Sequence, residues 1–182
     1  MKTISQLIIT MMICLFSIQT WAQSGKLFNT DNQLSSNLAT QVFQDKSGFI
    51  WIATRNGLNT YDGYHITIIK KDMSNFLGLN SNYINSIAQD EKEHILLGTN
   101  NSLLEFTGSE FLKIPMLDSK GKELATYVKQ IYPLRNKDVA VATSGYGIML
   151  KKQDEQKCHA MKGVVEKLKY IHKLLEDKRG RL

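Results

Sequence analysis

One stretch of this chain is written twice. Residues 34–66 lie over residues 79–111 at an offset of 45, without a gap. Ten of these 33 positions are identical: Leu34, Ser36, Asn37, Gln44, Asp45, Ile50, Thr54, Asn56, Leu58 and Gly63. Most of the others exchange apolar for apolar or polar for polar. Self-similarity at such a period marks a repeat architecture, in which each unit covers its apolar sides only with its neighbours. A third, degraded copy runs from Tyr127 to Thr143. Its Thr143 falls 44 residues after Thr99, and the loop that follows, Ser144-Gly-Tyr-Gly147, is one residue longer. The terminal run Lys173–Leu182 superposes on Gln41–Ile50, and Asp177 lies 87 residues after Asp90, close to two periods. The chain is therefore expected to break off inside a fourth unit, as a truncated piece of a longer protein. A second reading applies to this tail: Val164, Leu168, Ile171 and Leu175 recur at helical spacing with lysines between them, as in a basic amphipathic helix. The in-register Asp-Lys-x-Gly favours the strand reading, although an isolated half-hairpin could be poorly ordered or helical.

Turn chemistry decides what one unit is. In the first copy, Asp45-Lys-Ser-Gly48, Asn56-Gly57 and Asp62-Gly63 are turn signals, the second favouring a hairpin with positive φ at both central residues. Between them lie short segments rich in β-branched and aromatic residues: Thr40–Gln44, Phe49–Thr54, Leu58–Tyr61 and Tyr64–Ile69. No helix of ten residues fits between turns so closely spaced. Three turns joining four strands make one antiparallel sheet, and radial stacking of such sheets keeps exposed edges short. The expected fold is all-β: four-stranded β-propeller blades forming an incomplete propeller of about three and a half blades. The units fall at about 34–70, 79–114 and 126–151, with a truncated blade at 168–182. Trp51, with Val42, Ile50 and Ile52, is assigned to inter-blade packing, since its equivalents Leu96, Ile87, Ile95 and Leu97 are all apolar.

The first 22 residues are set apart as a secretory signal peptide. Lys2 precedes a twelve-residue apolar run, Leu7–Ile18, which at ~1.5 Å per helical residue is too short to cross ~30 Å of hydrocarbon. Thr20-Trp-Ala22 offers small residues for cleavage before Gln23; an uncleaved anchor is the alternative. Cys14 would leave with the leader, so the exported part would hold Cys158 alone and must rely on packing rather than a disulfide. The net charge of +6 is concentrated at the end. Residues 23–150 carry 12 basic and 12 acidic side chains, whereas residues 151–182 carry 10 and 5. A neutral body with a basic end argues against a nucleic-acid partner.

Catalytic chemistry is not evident. His65, His94, His159 and His172 lack metal-ligand spacing, no cysteine pair supports a zinc site, and neither a G-x-S-x-G elbow nor a phosphate loop occurs. No cofactor, no metal and no catalytic residue are expected. Asp45, Asp90 and Asp177 recur just before a turn, where an aspartate accepts backbone hydrogen bonds. Divergence between copies points to binding instead. After the shared threonine the copies place Arg55, then Asn100, then Ser144 with Tyr146, at equivalent loops on a rigid scaffold. Arg55, Asn100 and Tyr146 are the candidate ligand-binding residues: a charge, an amide and a ring suited to a polar oligosaccharide.

The run Leu34-Ser-Ser-Asn…Gln44-Asp-Lys-Ser-Gly-Phe-Ile-Trp-Ile-Ala-Thr-Arg-Asn-Gly-Leu-Asn-Thr-Tyr-Asp-Gly63 resembles the two-component regulator propeller repeat. The second copy departs from that pattern at Leu96 and Glu93, and the third keeps mainly Ala142–Ile148. The resemblance implies the N-terminal periplasmic sensor region of a Bacteroides-type hybrid two-component system. Its members look like two propellers, an immunoglobulin-like domain, a membrane helix, a histidine kinase, a receiver and a DNA-binding domain. It further implies oligosaccharides or another small ligand as the partner, the missing remainder of the same polypeptide as a second partner, and a homodimer in the full-length receptor. No phosphoacceptor segment, ATP-binding glycine motif or receiver aspartate stands in these residues, so any kinase label belongs to the parent. Two rivals remain: a secreted propeller for glycan binding or adhesion without a kinase, and an exported propeller lyase or glycosidase. The isolated piece is expected to be marginal in solution, with sheet faces left uncovered.

Overall fold

The computed structural model describes residues 25–71, 78–161 and 168–182. The leader expected over residues 1–22 lies outside the described residues, as does Val164 of the helical pattern. Three antiparallel sheets follow one another along the chain. The first is β1 (Ala39–Gln44), β2 (Ile50–Thr54), β3 (Gly57–Tyr61) and β4 (Ile66–Ile69), and the second is β5 (Ile84–Gln89), β6 (Ile95–Thr99), β7 (Leu103–Phe106) and β8 (Phe111–Ile114), both in chain order. Two short strands, β9 (Met116–Leu117) and β10 (Glu123–Leu124), precede β11 (Tyr127–Pro133), β12 (Val139–Ser144), β13 (Ile148–Lys151) and β14 (Cys158–Ala160). The four strands β11 to β14 repeat the meander, and β9 joins β14 in parallel to make a sheet of six. No α-helix occurs among the described residues, and none there is long and apolar enough to cross a membrane. Residues 34–66 and 79–111 thus take the same conformation, and the all-β blade architecture expected from the repeat is what forms.

The turns explain the boundaries. Gly48 N–H donates to the Asp45 carbonyl at 3.0 Å and Asp45 N–H to the Phe49 carbonyl at 3.0 Å, while the Asp45 carboxylate takes Phe49 N–H. The second blade repeats this around Asp90, with Glu93 at φ 67° where the first has glycine at φ 92°. The hairpin after β2 differs from the expectation of two positive-φ residues. Its loop is Arg55-Asn56, neither of which has positive φ, and Gly57 (φ 133°) opens β3. The Thr54 hydroxyl closes the loop instead, accepting Asn56 N–H and donating to the Gly57 carbonyl. Gly57 is required there because a Cβ would stand 3.0 Å from that of Ser35.

The blades stack through apolar faces and a recurring polar tie. Trp51, Leu58, Ile87, Leu97 and Leu104 bury the first interface, and Leu96, Leu103, Val128, Ile131, Val141 and Met149 the second. Each fully buried leucine-sized side chain contributes about 1.5–3 kcal/mol of transfer free energy. Trp51, 6% exposed, packs edge-on against Phe106 of the next blade at 5.7 Å and donates its indole N–H to Asp45 at 2.7 Å. Across the first interface the Gln41 amide accepts Ile87 N–H and donates to the Ile87 carbonyl. Ser86 Oγ takes Ile131 N–H across the second, and Gln130 makes the same two-way bond to Leu174 beyond the third blade.

That last bond places the tail. Residues 168–182 hold neither strand nor helix apart from one antiparallel bridge, Ser144 to Tyr170. Yet Asp177 N–H reaches Arg181 O and Gly180 N–H reaches Asp177 O, reproducing the turn at Asp45, and Leu174 is buried against Ala140, Ala142 and Ile148. The segment docks on the third blade but forms no ladder beyond that bridge. The third sheet also runs past Lys151 to Ala160, so its fourth strand lies beyond a loop that the degraded repeat did not mark.

Candidate ligand-binding face

One end of the blades carries the loops after β2, β6 and β12, and the chain enters each following inner strand at that same end. Arg55, Asn100 and Tyr146 all stand there, on successive blades. Arg55 is exposed and lays its guanidinium over the ring of Tyr83, 5.7 Å from the centroid, in the segment that enters β5. Asn100 is exposed too, its side-chain oxygen accepting the Ser81 hydroxyl at 2.8 Å. Tyr146 is 44% exposed between Gly145 and Gly147, whose N–H groups both donate to the Lys169 carbonyl. Of the three, only Arg55 makes contact with a neighbouring blade's ring. The sequence comparison grouped them by loop; the fold gathers other residues around Arg55.

Those residues are Tyr83, Tyr127, Asn85 and Lys129. The rings of Tyr83 and Tyr127 meet edge-on at 6.0 Å, and Lys129 Nζ lies 4.1 Å from the Tyr127 centroid. The Tyr127 hydroxyl donates to Asn85 Oδ1 at 2.6 Å, and Asn85 Nδ2 is buried with no hydrogen-bond partner among the described residues. Burial and the neighbouring Tyr83 push the Tyr127 phenol up to about 12, against the opposing pull of Arg55 and Asn85, so it is a neutral donor at any physiological pH. The backbone sets this up. Each inner strand has a register break at its start, between Ala39 and Gln41, between Ile84 and Ser86, and between Val128 and Gln130. The residues inside the breaks are Thr40, Asn85 and Lys129, and such bulges re-aim a side chain out of the ladder.

The tyrosines have a sequence signal that the loop comparison passed over. Leu38, Tyr83, Tyr127 and Tyr170 occupy one place in the four copies, three residues before Gln41, Ser86, Gln130 and Lys173. Tyr170 is 70% exposed. A row of rings with a guanidinium and an ammonium beside them suits stacking against a pyranose face and hydrogen bonding to hydroxyls or acidic substituents. At the opposite end, Phe49, Trp51, Phe106 and His94 are among the residues around a cleft of about 430 Å³ between the first two blades.

Stacked four-stranded meanders of this kind, tied inner strand to inner strand, define an arc of a β-propeller. Within its first two blades, the family model described as two component regulator propeller matches residues 33–56 and 78–101. The fold is shared with the extracellular domain of a B. thetaiotaomicron protein assigned as the hybrid two component system BT4673, at TM-score 0.65 and 17% identity over 89% of this chain and 22% of that one. The corresponding domain of BT3049 from the same organism gives 0.60 and 22% over 75% and 19%. PorZ, a surface component of the type-IX secretion system of Porphyromonas gingivalis, gives 0.50 and 15% over 68% and 21%. The chain therefore spans about a fifth of the length of these structures. No curated protein matches it.

Proposed function

We propose that this chain is the opening blade segment of the exported, periplasmic sensing region of a hybrid two-component receptor, and that it binds an oligosaccharide rather than turning one over. The family repeats and the likeness to extracellular domains of such systems support the sensor role. The observation that carries the ligand class is the Tyr83–Tyr127 step flanked by Arg55 and Lys129. In this reading residues 1–22 direct export and are removed, and Asn100 and Tyr146 contact the outer parts of a longer sugar. Binding would shift a conformational equilibrium of the complete receptor, itself a homodimer, and pass that bias through the membrane.

The test is titration of acidic and neutral glycan fragments into the chain, followed by tyrosine fluorescence or heat. At least one class is expected to bind, and Tyr127→Ala or Arg55→Ala to weaken it about tenfold, the loss of one stacking or charge-assisted contact of ~1.4 kcal/mol. Binding unaffected by either change, or absent for every glycan, overturns the site. The secreted, kinase-free reading finds support in the equal ease with which the fold serves PorZ. The coding sequence beyond Leu182 separates the two: a membrane helix and kinase signatures favour the sensor, a stop codon soon after the blades removes it.

A further inference from the structure

Away from the tyrosine face, the second blade holds a cluster that the first lacks. In the first blade, Asp45 Oδ2 accepts the Trp51 indole N–H at 2.7 Å and Thr60 lies across the strand pair from Trp51. In the second, the equivalent positions hold Asp90, Leu96 and Glu105, and Phe49 is replaced by His94. The indole donor is gone and a second carboxylate has arrived. Asp90 and Glu105 are 6% and 3% exposed; Asp90 Oδ1 takes Lys92 and His94 N–H, and Glu105 Oε1 faces His94 Nδ1 at 2.9 Å. Asp90 Oδ2 stands 3.7 Å from that same nitrogen, too far for a hydrogen bond.

We propose that Asp90, His94 and Glu105 form a binding site for a single divalent transition-metal ion, with Zn²⁺ its best match. Charge argues first. Two buried carboxylates against one imidazole leave net negative charge even when the imidazole is protonated, whereas a divalent cation with neutral histidine balances them. Geometry argues second. One atom from each residue lies within 4.8 Å of the others. Bonds of ~2.1 Å in a tetrahedral site put ligand atoms roughly 3.4 Å apart, between the 2.9 and 3.7 Å found around His94 Nδ1. Chemistry argues third. An imidazole nitrogen in the set favours Zn²⁺ over Mg²⁺ or Ca²⁺, which prefer oxygen alone. The ion stands between Nδ1 and Oε1, and the partly exposed edge of His94 gives it entry and leaves a fourth position for water.

The 182-residue chain, stripped with chelator, is titrated with Zn²⁺ against a chromophoric indicator and melted with and without the ion. One ion per chain and a raised Tm are expected. Glu105→Gln and His94→Gln weaken uptake by about tenfold or more, while His159→Gln and His65→Gln leave it unchanged. Loading the unaltered chain with Co²⁺ adds a readout that no variant's folding can obscure, because a low-coordinate site gives intense visible bands. Featureless Co²⁺ spectra, or uptake equal in the chain and both site variants, overturns the proposal and leaves a hydrogen-bonded carboxylate–imidazole cluster.

Discussion

At the scale of the residue, burial decides chemistry more than residue type does. Cys158 is 0% exposed on β14, beside Lys151, and loss of hydration pushes its thiol up to about 12 despite the pull of that lysine. It is therefore expected to resist alkylation at pH 8 in the folded chain and to react at once in denaturant, as mass spectrometry of iodoacetamide-treated samples would read. Labelling at equal rates in both states would contradict the packing. The linked stability has a definite sign. The folded value lies above the ordinary thiol value, so this contribution is whole below about pH 9 and is lost as pH climbs toward 12. Asp62 shows the opposite case: backbone N–H groups of His65 and Tyr64 hold its carboxyl below the usual range at the turn the sequence marked with Asp62-Gly63.

At the scale of the element, the inner strand of each blade is the structural seam. Its amide tie recurs as Gln41 to Ile87 and Gln130 to Leu174, with Ser86 supplying the shorter version between them. Gln41→Ala leaves a backbone donor and acceptor without partners inside an interface, and is expected to lower the unfolding free energy by about 1–3 kcal/mol in urea. Gln130→Ala should act locally, raising hydrogen exchange at the Leu174 amide while the first two blades keep their protection. Equal effects of both changes on global unfolding would mean that the terminal segment is integral to the fold. The strands themselves were legible: the segments expected in residues 40–69 lie within one or two residues of those formed, because alternation and turn residues act locally. The β9–β10 pair was not read, although Asp118-Ser-Lys-Gly121 repeats the Asp45 turn down to its hydrogen bonds. Its strands are two residues each, too short for any periodicity to register.

At the scale of the whole molecule, exposure follows position in the stack. Val42 is 61% exposed, whereas its counterparts Ile87, Ile131 and Leu174 are 1%, 4% and 9% exposed. The same site in the blade is buried as soon as another blade precedes it. The 182-residue chain alone thus presents an uncovered blade face carrying Val42 on one side and the unladdered terminal segment on the other. It is expected to self-associate at tens of micromolar in sedimentation velocity and to unfold broadly. A monomer with one sharp, high-temperature transition would sink that expectation.

The candidate face was half legible for a related reason. Arg55 stood out because it breaks the pattern of its own loop. The tyrosines that meet it lie one and two blades away, and only the stacking of blades brings them together. What the residues determined unaided is the unit: its period, its four strands, its turns and the apolar positions between sheets, all consequences of local hydrogen-bonding geometry and alternation. Tertiary structure alone decided which side chains from different units meet, as with Tyr83 on Tyr127, and which stand together within one, as with His94 on Glu105. The first kind of encounter depends on the rotation between neighbouring sheets, which no single repeat encodes, and the second on the register across a hairpin, which a residue pattern alone does not pin to one residue.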